Sequence, residues 1–317
     1  MTHPKPERDT SPSAESESAS TAEANDTASL AESPADSYGV AVRQFNERAH
    51  ALGLGDLSRY FWYHTVELPN GLLTPGQYDF RSTIDAFGFP EDLRGLQVLD
   101  VGTATGFFAF ELERRGAQVT AVDLPSLEDL DRFPGQDTKL MLSKIEAMLD
   151  PSNAGGARRH TAAELTFFLL EGPFELCRQQ LGSRVERCLA TIYELPRALA
   201  GRSFDLVFVG DVLLHTLRPF DALAAVAQLC RGTLVVAQEI PGEPEDEPAL
   251  LYVGGADPSQ DDIKWWMPNQ SCFVQLLAKL GFGEVEVIGD YYGTLRPSGY
   301  DFKRSILHAH RHSTSSA

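Results

Sequence analysis

The sequence predicts an α/β protein built on a doubly wound, mostly parallel sheet, and three observations lead to this prediction. Residues 98–106 read VLDVGTATG, an apolar strand that runs into a turn bracketed by glycines. After residue 96, strand-like and helix-like segments alternate, which is typical of parallel sheets. An acidic residue, Asp123, ends the next strand-like run about 20 positions beyond the turn, where it suits ribose hydroxyls.

The strands and helices can be placed from periodicity and turn residues. Strands are expected at 97–101, 118–122, 185–191, 206–209, 233–238, 284–288 and 305–310, and helices at 39–54, 83–89, 107–115, 219–230 and 272–280. About sixty residues separate the second and third strands, more than a crossover between parallel strands needs. Within this insertion, 125–182, helices are expected at 137–149, 162–170 and 173–180. The insertion follows the ligand edge of the sheet and is predicted to be a lid, with an inert surface elaboration as the alternative.

The domain organisation follows from composition. Residues 1–36 are polar and nearly devoid of large apolar side chains, so we expect a disordered acidic tail. This tail carries eight acidic and two basic residues, which leaves −12 of the total charge of −18 on the rest of the chain. Residues 37–95 are predicted to form an N-terminal cap and part of the substrate side, 96–310 the main domain, and 311–317 a second disordered tail.

The composition also narrows the class of protein. The acidic body disfavours nucleic acid as a partner, because nucleic-acid binders usually carry a basic surface. We expect neither a membrane span nor a secretory signal, since no apolar run is long enough and the N-terminus lacks a basic and then apolar leader. The four scattered cysteines and the C-terminal histidines suggest neither a disulfide framework nor a metal site. A small-molecule enzyme of the cytoplasm fits best.

The glycine turn indicates which adenosyl ligand is bound. A dinucleotide fingerprint, G-x-G-x-x-G, needs its middle glycine to make room for a pyrophosphate, and here Ala104 holds that position. Asp100 would also sit poorly beside a pyrophosphate, whereas it suits an ammonium group. S-adenosylmethionine carries an ammonium, a carboxylate, a sulfonium and a ribose, and no phosphate. We therefore predict S-adenosylmethionine as the cofactor.

Three longer segments extend this inference into a resemblance. They are FWYHTVELPNGLLTPG at 61–76, LRGLQVLDVGTATGFFAFELERRGAQVTAVDLP at 93–125 and FDLVFVGDVLLHTLRPFDAL at 204–223. The chain resembles class I S-adenosylmethionine-dependent methyltransferases, and among them the family that includes the tRNA wobble-uridine carboxymethyltransferases. The resemblance implies a Rossmann-like methyltransferase fold of seven strands that ends in an antiparallel strand hairpin. With the glycine turn, it gives the predicted cofactor contacts: Asp100, Gly102, Thr103, Ala104, Gly106, Asp123, Leu124, Ile192, Tyr193, Gly210 and Asp211.

Two departures from the wobble-uridine enzymes bear on the substrate. The lysine that holds a carboxylated cofactor in that family has no counterpart between Tyr60 and Gly76, although Arg304 matches the arginine that opens the family's last strand. The acidic body would also repel tRNA. We therefore predict ordinary S-adenosylmethionine and methyl transfer to an oxygen or nitrogen of a small acceptor. A tRNA wobble-uridine methyl or carboxymethyl transferase and a non-catalytic adenosyl-binding regulator are the alternatives.

The remaining candidates concern the acceptor side. His215 and His64 are predicted catalytic residues, since imidazole can act as a general base near neutral pH. The alternatives are a helix-capping role for His215 and a core position for His64. An acceptor pocket is predicted from Trp62, Trp265, Trp266 and Arg304, with plain packing as the alternative for the tryptophans.

Overall fold

The computed structural model describes residues 34–149, 159–241, 247–257 and 263–312. The described part contains one seven-stranded sheet, whose strands are β3 (Gln97–Val101), β4 (Gln118–Asp123), β5 (Glu186–Leu189), β6 (Phe204–Gly210), β7 (Cys230–Gln238), β10 (Phe282–Leu295) and β11 (Tyr300–Arg311). Their order across the sheet is β10-β11-β7-β6-β3-β4-β5. Strands β3 to β7 are parallel, and β11 pairs antiparallel with both β7 and β10. The predicted fold class and its closing strand hairpin are confirmed.

Helices cover both faces of this sheet because its strands are apolar on both sides. Val98 and Leu206 pack on one face with α2 (Phe107–Arg114), and Leu99 and Val207 pack on the other with α7 (Pro219–Leu229) and α8 (Gln270–Lys279). Alternate residues of a strand point to opposite faces of the sheet, so a continuous apolar run provides apolar side chains that are buried on both faces. The chain order reverses between β3 and β6, and ligands bind at such a switch point in open α/β sheets.

The remaining helices and short strands lie outside this sheet. They are α1 (Pro34–Ala51), the strand pairs β1 (Glu67–Leu68) with β2 (Leu72–Leu73) and β8 (Leu250–Tyr252) with β9 (Trp266–Pro268), and the helices α3 (Thr138–Leu149), α4 (Ala162–Thr166), α5 (Gly172–Gln180) and α6 (Leu195–Ala198). A π-helical turn, Phe167–Glu171, joins α4 to α5. None of the helices in the described ranges is long and apolar enough to cross a membrane.

The largest differences from the predicted element boundaries are at the N-terminus, in the insertion and in the last two strands. Helix α1 begins at Pro34, inside the segment expected to be a disordered tail, while residues 1–33 and 313–317 lie outside the described residues. The two predicted helices at 162–180 form one continuous helical run, because the π-helical turn accommodates Pro173 at the start of α5. Strands β10 and β11 extend well beyond 284–288 and 305–310, since they pair with each other past the edge of β7.

Candidate functional site

A cavity of about 330 Å³ opens at the carboxyl ends of β3, β4 and β6. Its size lies within the range of small-molecule sites. One wall comes from the strand ends and a second from the segment 61–80. A third wall comes from the insertion, through Leu127, Leu130, Ile145, Leu169 and Leu170. The cavity is therefore lined by parts of the chain that are far apart in sequence.

The glycine turn forms the floor of this cavity. Gly102 and Ala104 line it, and both have left-handed backbone conformations, with φ of 80° and 47°. A Cβ on Gly102 would lie 2.4 Å from Val212 Cγ2, so only glycine leaves this position open. Gly106, with φ of 96°, begins α2 but lies outside the lining of the cavity. The turn thus presents main chain rather than side chains to a ligand.

Of the two acids predicted around the glycine turn, Asp100 and Asp123, only Asp123 lines the cavity. Its Oδ2 accepts a hydrogen bond from the Ala104 amide at 2.8 Å, and its Oδ1 accepts one from the Leu124 amide at 2.8 Å. Burial raises the pKa of this carboxyl, while the charge of Arg187 and the two amides oppose the shift. Asp123 is held rigidly, and each oxygen keeps a lone pair for a ligand hydroxyl.

Asp100 occupies a different place from the one predicted. Its side chain is buried beneath the turn and does not line the cavity. It accepts a hydrogen bond from Thr103 Oγ1 at 2.7 Å, so Thr103 also turns away from the cavity. Burial raises the Asp100 pKa to about 7, and the neighbouring Asp123 carboxylate adds to the rise. Asp100 and Thr103 therefore brace the turn from below, and neither is placed to meet a ligand ammonium.

One end of the cavity, beside Leu124, is bounded by Ile192 and Tyr193 at the carboxyl end of β5. The Tyr193 hydroxyl donates a hydrogen bond to Asp131 of the insertion, and the Arg218 guanidinium lies 4.1 Å from the Tyr193 ring centroid. Burial raises the pKa of Tyr193 to about 12, so the hydroxyl stays protonated. This end of the cavity is mostly apolar.

Gly210 and Asp211 line the cavity at the end of β6. Asp211 adopts φ of 49°, a conformation that costs a non-glycine residue on the order of 1–2 kcal/mol. Its Oδ2 accepts a hydrogen bond from Arg304 Nε at 2.6 Å, and its buried Oδ1 has no partner within the described ranges. Arg304, predicted as a substrate-binding residue, lies behind Asp211 and outside the lining, with Glu239 at 3.7 Å as a second partner.

His215 follows on the turn after β6 and also lines the cavity. Its Nδ1 donates a hydrogen bond to the Ile263 carbonyl, which leaves Nε2 as the basic nitrogen. Burial lowers the His215 pKa, so the ring is neutral at neutral pH. The arrangement suits an imidazole that takes up a proton.

The second end of the cavity, which we call the aromatic end, consists of Tyr63, His64, Tyr78, Phe80, Phe108 and Tyr291. His64 is fully buried among these rings, and burial lowers its pKa to about 3. The three tyrosines have raised pKa values, in each case chiefly through burial. Sequence reasoning missed the tyrosines. Tyr63 lies between the predicted site residues Trp62 and His64, but no local sequence pattern indicated that Tyr291 on β10 reaches the same end of the cavity.

The predicted tryptophans lie outside the cavity lining, and their contacts explain why. Trp62 packs in the core against Phe45, with ring centroids 5.1 Å apart. Trp265 donates from Nε1 to the Asp131 carbonyl at 3.1 Å, and Trp266 donates to the Leu217 carbonyl at 3.2 Å. The tryptophan pair thus fastens the insertion and the loop after β6, instead of forming a wall for an acceptor.

Asp131 is the centre of this attachment, which we call the lid clasp: Asp131 with Tyr193, Leu217 and Trp265. The Asp131 carboxylate accepts hydrogen bonds from the Tyr193 hydroxyl and from the Leu217 amide, the latter at 2.7 Å. Its carbonyl accepts the bond from Trp265. Phe133 adds an edge-to-face contact with Trp265, at 5.0 Å between ring centroids. The clasp joins the beginning of the insertion to the opposite rim of the cavity.

The lining has a distinct charge. Four acids contribute to it, namely Asp123, Asp129, Asp131 and Asp211, and within the described ranges neither lysine nor arginine does. A low-dielectric cavity focuses such a field and favours a cationic ligand. The site is suited to a molecule that presents hydroxyls to Asp123 and positive charge near Asp211.

Known proteins show partial similarity to the chain. No model of a known protein family matches it. The magnesium-protoporphyrin O-methyltransferase of Rhodobacter capsulatus is 42% identical over 66 residues, which cover 20% of this chain and 30% of that protein. The tRNA U34 carboxymethyltransferase of Desulfotalea psychrophila is 30% identical over 116 residues, covering 34% of this chain and 33% of that protein. The chain thus spans about a third of the length of these curated relatives.

Solved structures give a broader but more distant likeness. The N-terminal domain of EvdMO1, crystallised in the presence of SAH and D-fucose, aligns with a TM-score of 0.47 and 15% identity, over 85% of this chain and 96% of that one. The magnesium protoporphyrin IX methyltransferase of Synechocystis PCC 6803 with bound SAM aligns with a TM-score of 0.40 and 15% identity, over 69% of this chain and 71% of that one.

Proposed function

We propose that the protein is an S-adenosylmethionine-dependent methyltransferase that acts on an oxygen or nitrogen of a small molecule. One observation carries the proposal. The cavity at the sheet's switch point combines an open glycine turn, the anchored Asp123 carboxylate and a lining whose described charged groups are all acidic. The two curated relatives, both methyltransferases by name, support it. A cytoplasmic location is part of the proposal and agrees with four unpaired cysteines.

The residues present fit S-adenosylmethionine in three places. Asp123 would accept hydrogen bonds from the ribose hydroxyls, and Leu124, Ile192 and Tyr193 would enclose the adenine. The unpartnered Oδ1 of Asp211 would receive the ammonium, a role predicted from the sequence for Asp100, whose side chain is buried. Main chain at Gly102 and Gly210 would lie along the methionine part, and an added Cβ at either position would clash with Val212 or Phe208.

The same charges favour the ordinary donor over a carboxylated one. A further carboxylate would enter a lining with four acids and, within the described ranges, no basic side chain. Arg304, the one basic residue that matches the wobble-uridine family, is paired with Asp211 and Glu239 instead. Both features also weigh against a tRNA substrate, because binding a polyanion requires accessible cations.

S-adenosylmethionine supplies an electrophilic methyl group on its sulfonium, so the chain mainly has to align an acceptor with it. His215 is proposed to remove the acceptor's proton, through the Nε2 lone pair that its bond to Ile263 leaves free. His64 is proposed to contact the acceptor but not to act as the base, since a pKa of about 3 makes it a poor proton acceptor at neutral pH.

The insertion, 125–182, is proposed to act as a lid. Its residues Leu127, Ile145 and Leu169 form part of the cavity wall, and the lid clasp joins it to the opposite rim. Opening of this clasp would widen the route by which a ligand enters the cavity. Closure would then exclude water and hold acceptor and methyl group in line.

The test is methyl transfer from S-adenosylmethionine labelled in its methyl group. The protein is incubated with this donor and either a small-molecule extract or total RNA from the source cells, and the label is followed by mass spectrometry. The proposal predicts a labelled small molecule that requires the wild-type protein and falls sharply with His215→Ala. Label in the RNA alone, or binding of the donor with no transfer to any fraction, would contradict it.

A further inference from the structure

The His64 imidazole is clamped at the aromatic end with an unsatisfied nitrogen. The His64 amide donates to Thr105 Oγ1 at 3.2 Å, and its carbonyl accepts from Thr74 Oγ1 at 2.9 Å, so the backbone is fixed on both sides. The side chain is 4% exposed and lines the cavity, and its Nδ1 has no hydrogen-bond partner in the described part of the chain. A buried polar atom left unpaired costs stability, which calls for a partner from outside the protein.

The surroundings of His64 indicate the shape of that partner. The imidazole meets Phe80 and Phe108 at 5.5 and 5.8 Å between ring centroids, both in edge-to-face geometry. Phe80 and Tyr78 stack at 5.7 Å with 9° between their planes. Flat walls of this kind pack best against a flat apolar ligand, and aromatic pairs add to the gain from burial.

The surroundings also indicate the charge of that partner. None of the six residues of the aromatic end is an acid, a lysine or an arginine, and His64 is neutral above a pH of about 3. Tyr63, Tyr78 and Tyr291 remain protonated, because burial raises the pKa of each hydroxyl. The charges that act on its three tyrosines are chiefly those of Asp211 and Arg304, which are paired with each other. An ion moved from water into this end would therefore lose its hydration without gaining a free counter-ion.

We infer that the aromatic end binds an uncharged, planar aromatic acceptor whose hydroxyl group hydrogen-bonds to the His64 imidazole. The inference deepens the proposed function and rests on it. His64 would then determine specificity: it selects a ring that carries a hydroxyl over the same ring without one. A buried site that hydrogen-bonds a ligand hydroxyl rejects the analogue without the hydroxyl, because the protein's own polar group would then be left unpaired.

A purely structural role for His64 makes a different prediction. If the imidazole only fills space, replacement by phenylalanine removes an unpaired polar nitrogen and leaves ligand discrimination unchanged. If it binds a hydroxyl, the same replacement is tolerated by the fold but abolishes the discrimination. The variant His64→Phe therefore separates the two roles. His64→Leu serves the same comparison with a smaller side chain if the phenyl ring does not fit.

The experiment measures probe binding to the full chain saturated with S-adenosylhomocysteine, whose own binding is measured first. The probes are 2-naphthol, naphthalene and the anion 2-naphthoate at pH 7. Wild type should bind 2-naphthol about tenfold more tightly than naphthalene, as one buried hydrogen bond provides, and 2-naphthoate at least tenfold more weakly than 2-naphthol. His64→Phe should bring 2-naphthol and naphthalene within twofold. The control His310→Phe, at the far end of β11, should behave as wild type.

Each contrary result has a definite meaning. Failure of S-adenosylhomocysteine to bind would overturn the proposed function and this inference with it. If S-adenosylhomocysteine binds normally, three results would overturn this inference alone. They are no binding of 2-naphthol, tighter binding of 2-naphthoate than of 2-naphthol, and an unchanged preference for 2-naphthol over naphthalene in both His64 variants.

Discussion

Replacing Asp100 by asparagine should stabilise the protein, and increasingly so as the pH rises. The carboxyl is fully buried, and burial raises its pKa from 3.8 to about 7. Asparagine has nearly the same shape and stays uncharged, and its carbonyl oxygen can still accept the hydrogen bond from Thr103. The variant therefore removes the cost of a buried charge and keeps the hydrogen bond from Thr103, while the hydrogen bond that Asp100 accepts from the Ala109 amide is lost.

The sign and size follow from proton linkage. The native state holds the Asp100 proton up to a pH of about 7, whereas the unfolded chain releases it near 3.8. The native state thus binds more protons in this interval, so the stability that Asp100 contributes falls as the pH rises and is constant above about 7. A tenfold change in proton affinity is worth about 1.4 kcal/mol. The advantage of Asp100→Asn should be about 2 kcal/mol at pH 5 and about 4 kcal/mol at pH 8.

Urea unfolding at these two pH values, followed by tryptophan fluorescence, measures the difference. The other titrating groups are shared by the two proteins, so their contributions cancel in the comparison, except for Asp123, whose carboxylate interacts directly with Asp100. An Asp100→Asn variant less stable than wild type at pH 8, or an advantage equal at the two pH values, would refute the burial argument. It would also return Asp100 to the ionised role that the sequence suggested.

Three further outcomes follow from the site. Asp131→Ala removes the carboxylate that accepts hydrogen bonds from Tyr193 and Leu217. Because two hydrogen bonds are lost, S-adenosylhomocysteine should dissociate at least about tenfold faster, as measured by stopped flow. An unchanged dissociation rate would show that the clasp does not gate the cavity. His215→Ala should lower kcat by about 10²–10⁴-fold, the range of general base catalysis, with calorimetric affinity for S-adenosylhomocysteine within twofold. If kcat and the affinity for S-adenosylhomocysteine fell by the same factor, His215 would be a cofactor-binding residue instead of a general base. In a competition assay, S-adenosylmethionine should bind at least as tightly as its carboxylated form. A tenfold preference for the carboxylated form, about 1.4 kcal/mol, would instead favour the hypothesis of a tRNA wobble-uridine carboxymethyltransferase.

Local sequence patterns sufficed for the fold and for part of the candidate site. The strand that ends at Val101 and the glycine turn after it are coded within a dozen residues, and Asp123 follows at a fixed spacing. Parallel strands bring such segments together by topology alone, because their carboxyl ends share one edge. No long-range packing had to be known.

The residues of the proposed acceptor side could not be predicted from local sequence patterns. Trp62 and Tyr63 are adjacent in sequence, yet the first is buried in the core and the second lines the cavity, a choice made by contacts with distant segments. Tyr291 reaches the aromatic end only because β10 extends beyond the sheet edge. Asp100 was misplaced for a related reason: its position on β3 was clear, but whether its side chain faces the ligand or lies beneath the turn depends on Thr103.

The central claim is that the cavity binds S-adenosylmethionine through Asp123, and calorimetry tests it most directly. Wild-type protein should bind S-adenosylmethionine and show no preference for NAD. Asp123→Ala should weaken the binding by about 1.5–3 kcal/mol, the loss of hydrogen bonds to a charged group. The control Asp92→Ala removes an exposed acid outside the cavity and should leave the affinity unchanged. Equal affinity for S-adenosylmethionine in wild type and Asp123→Ala, or tighter binding of NAD by the wild type, would contradict the account.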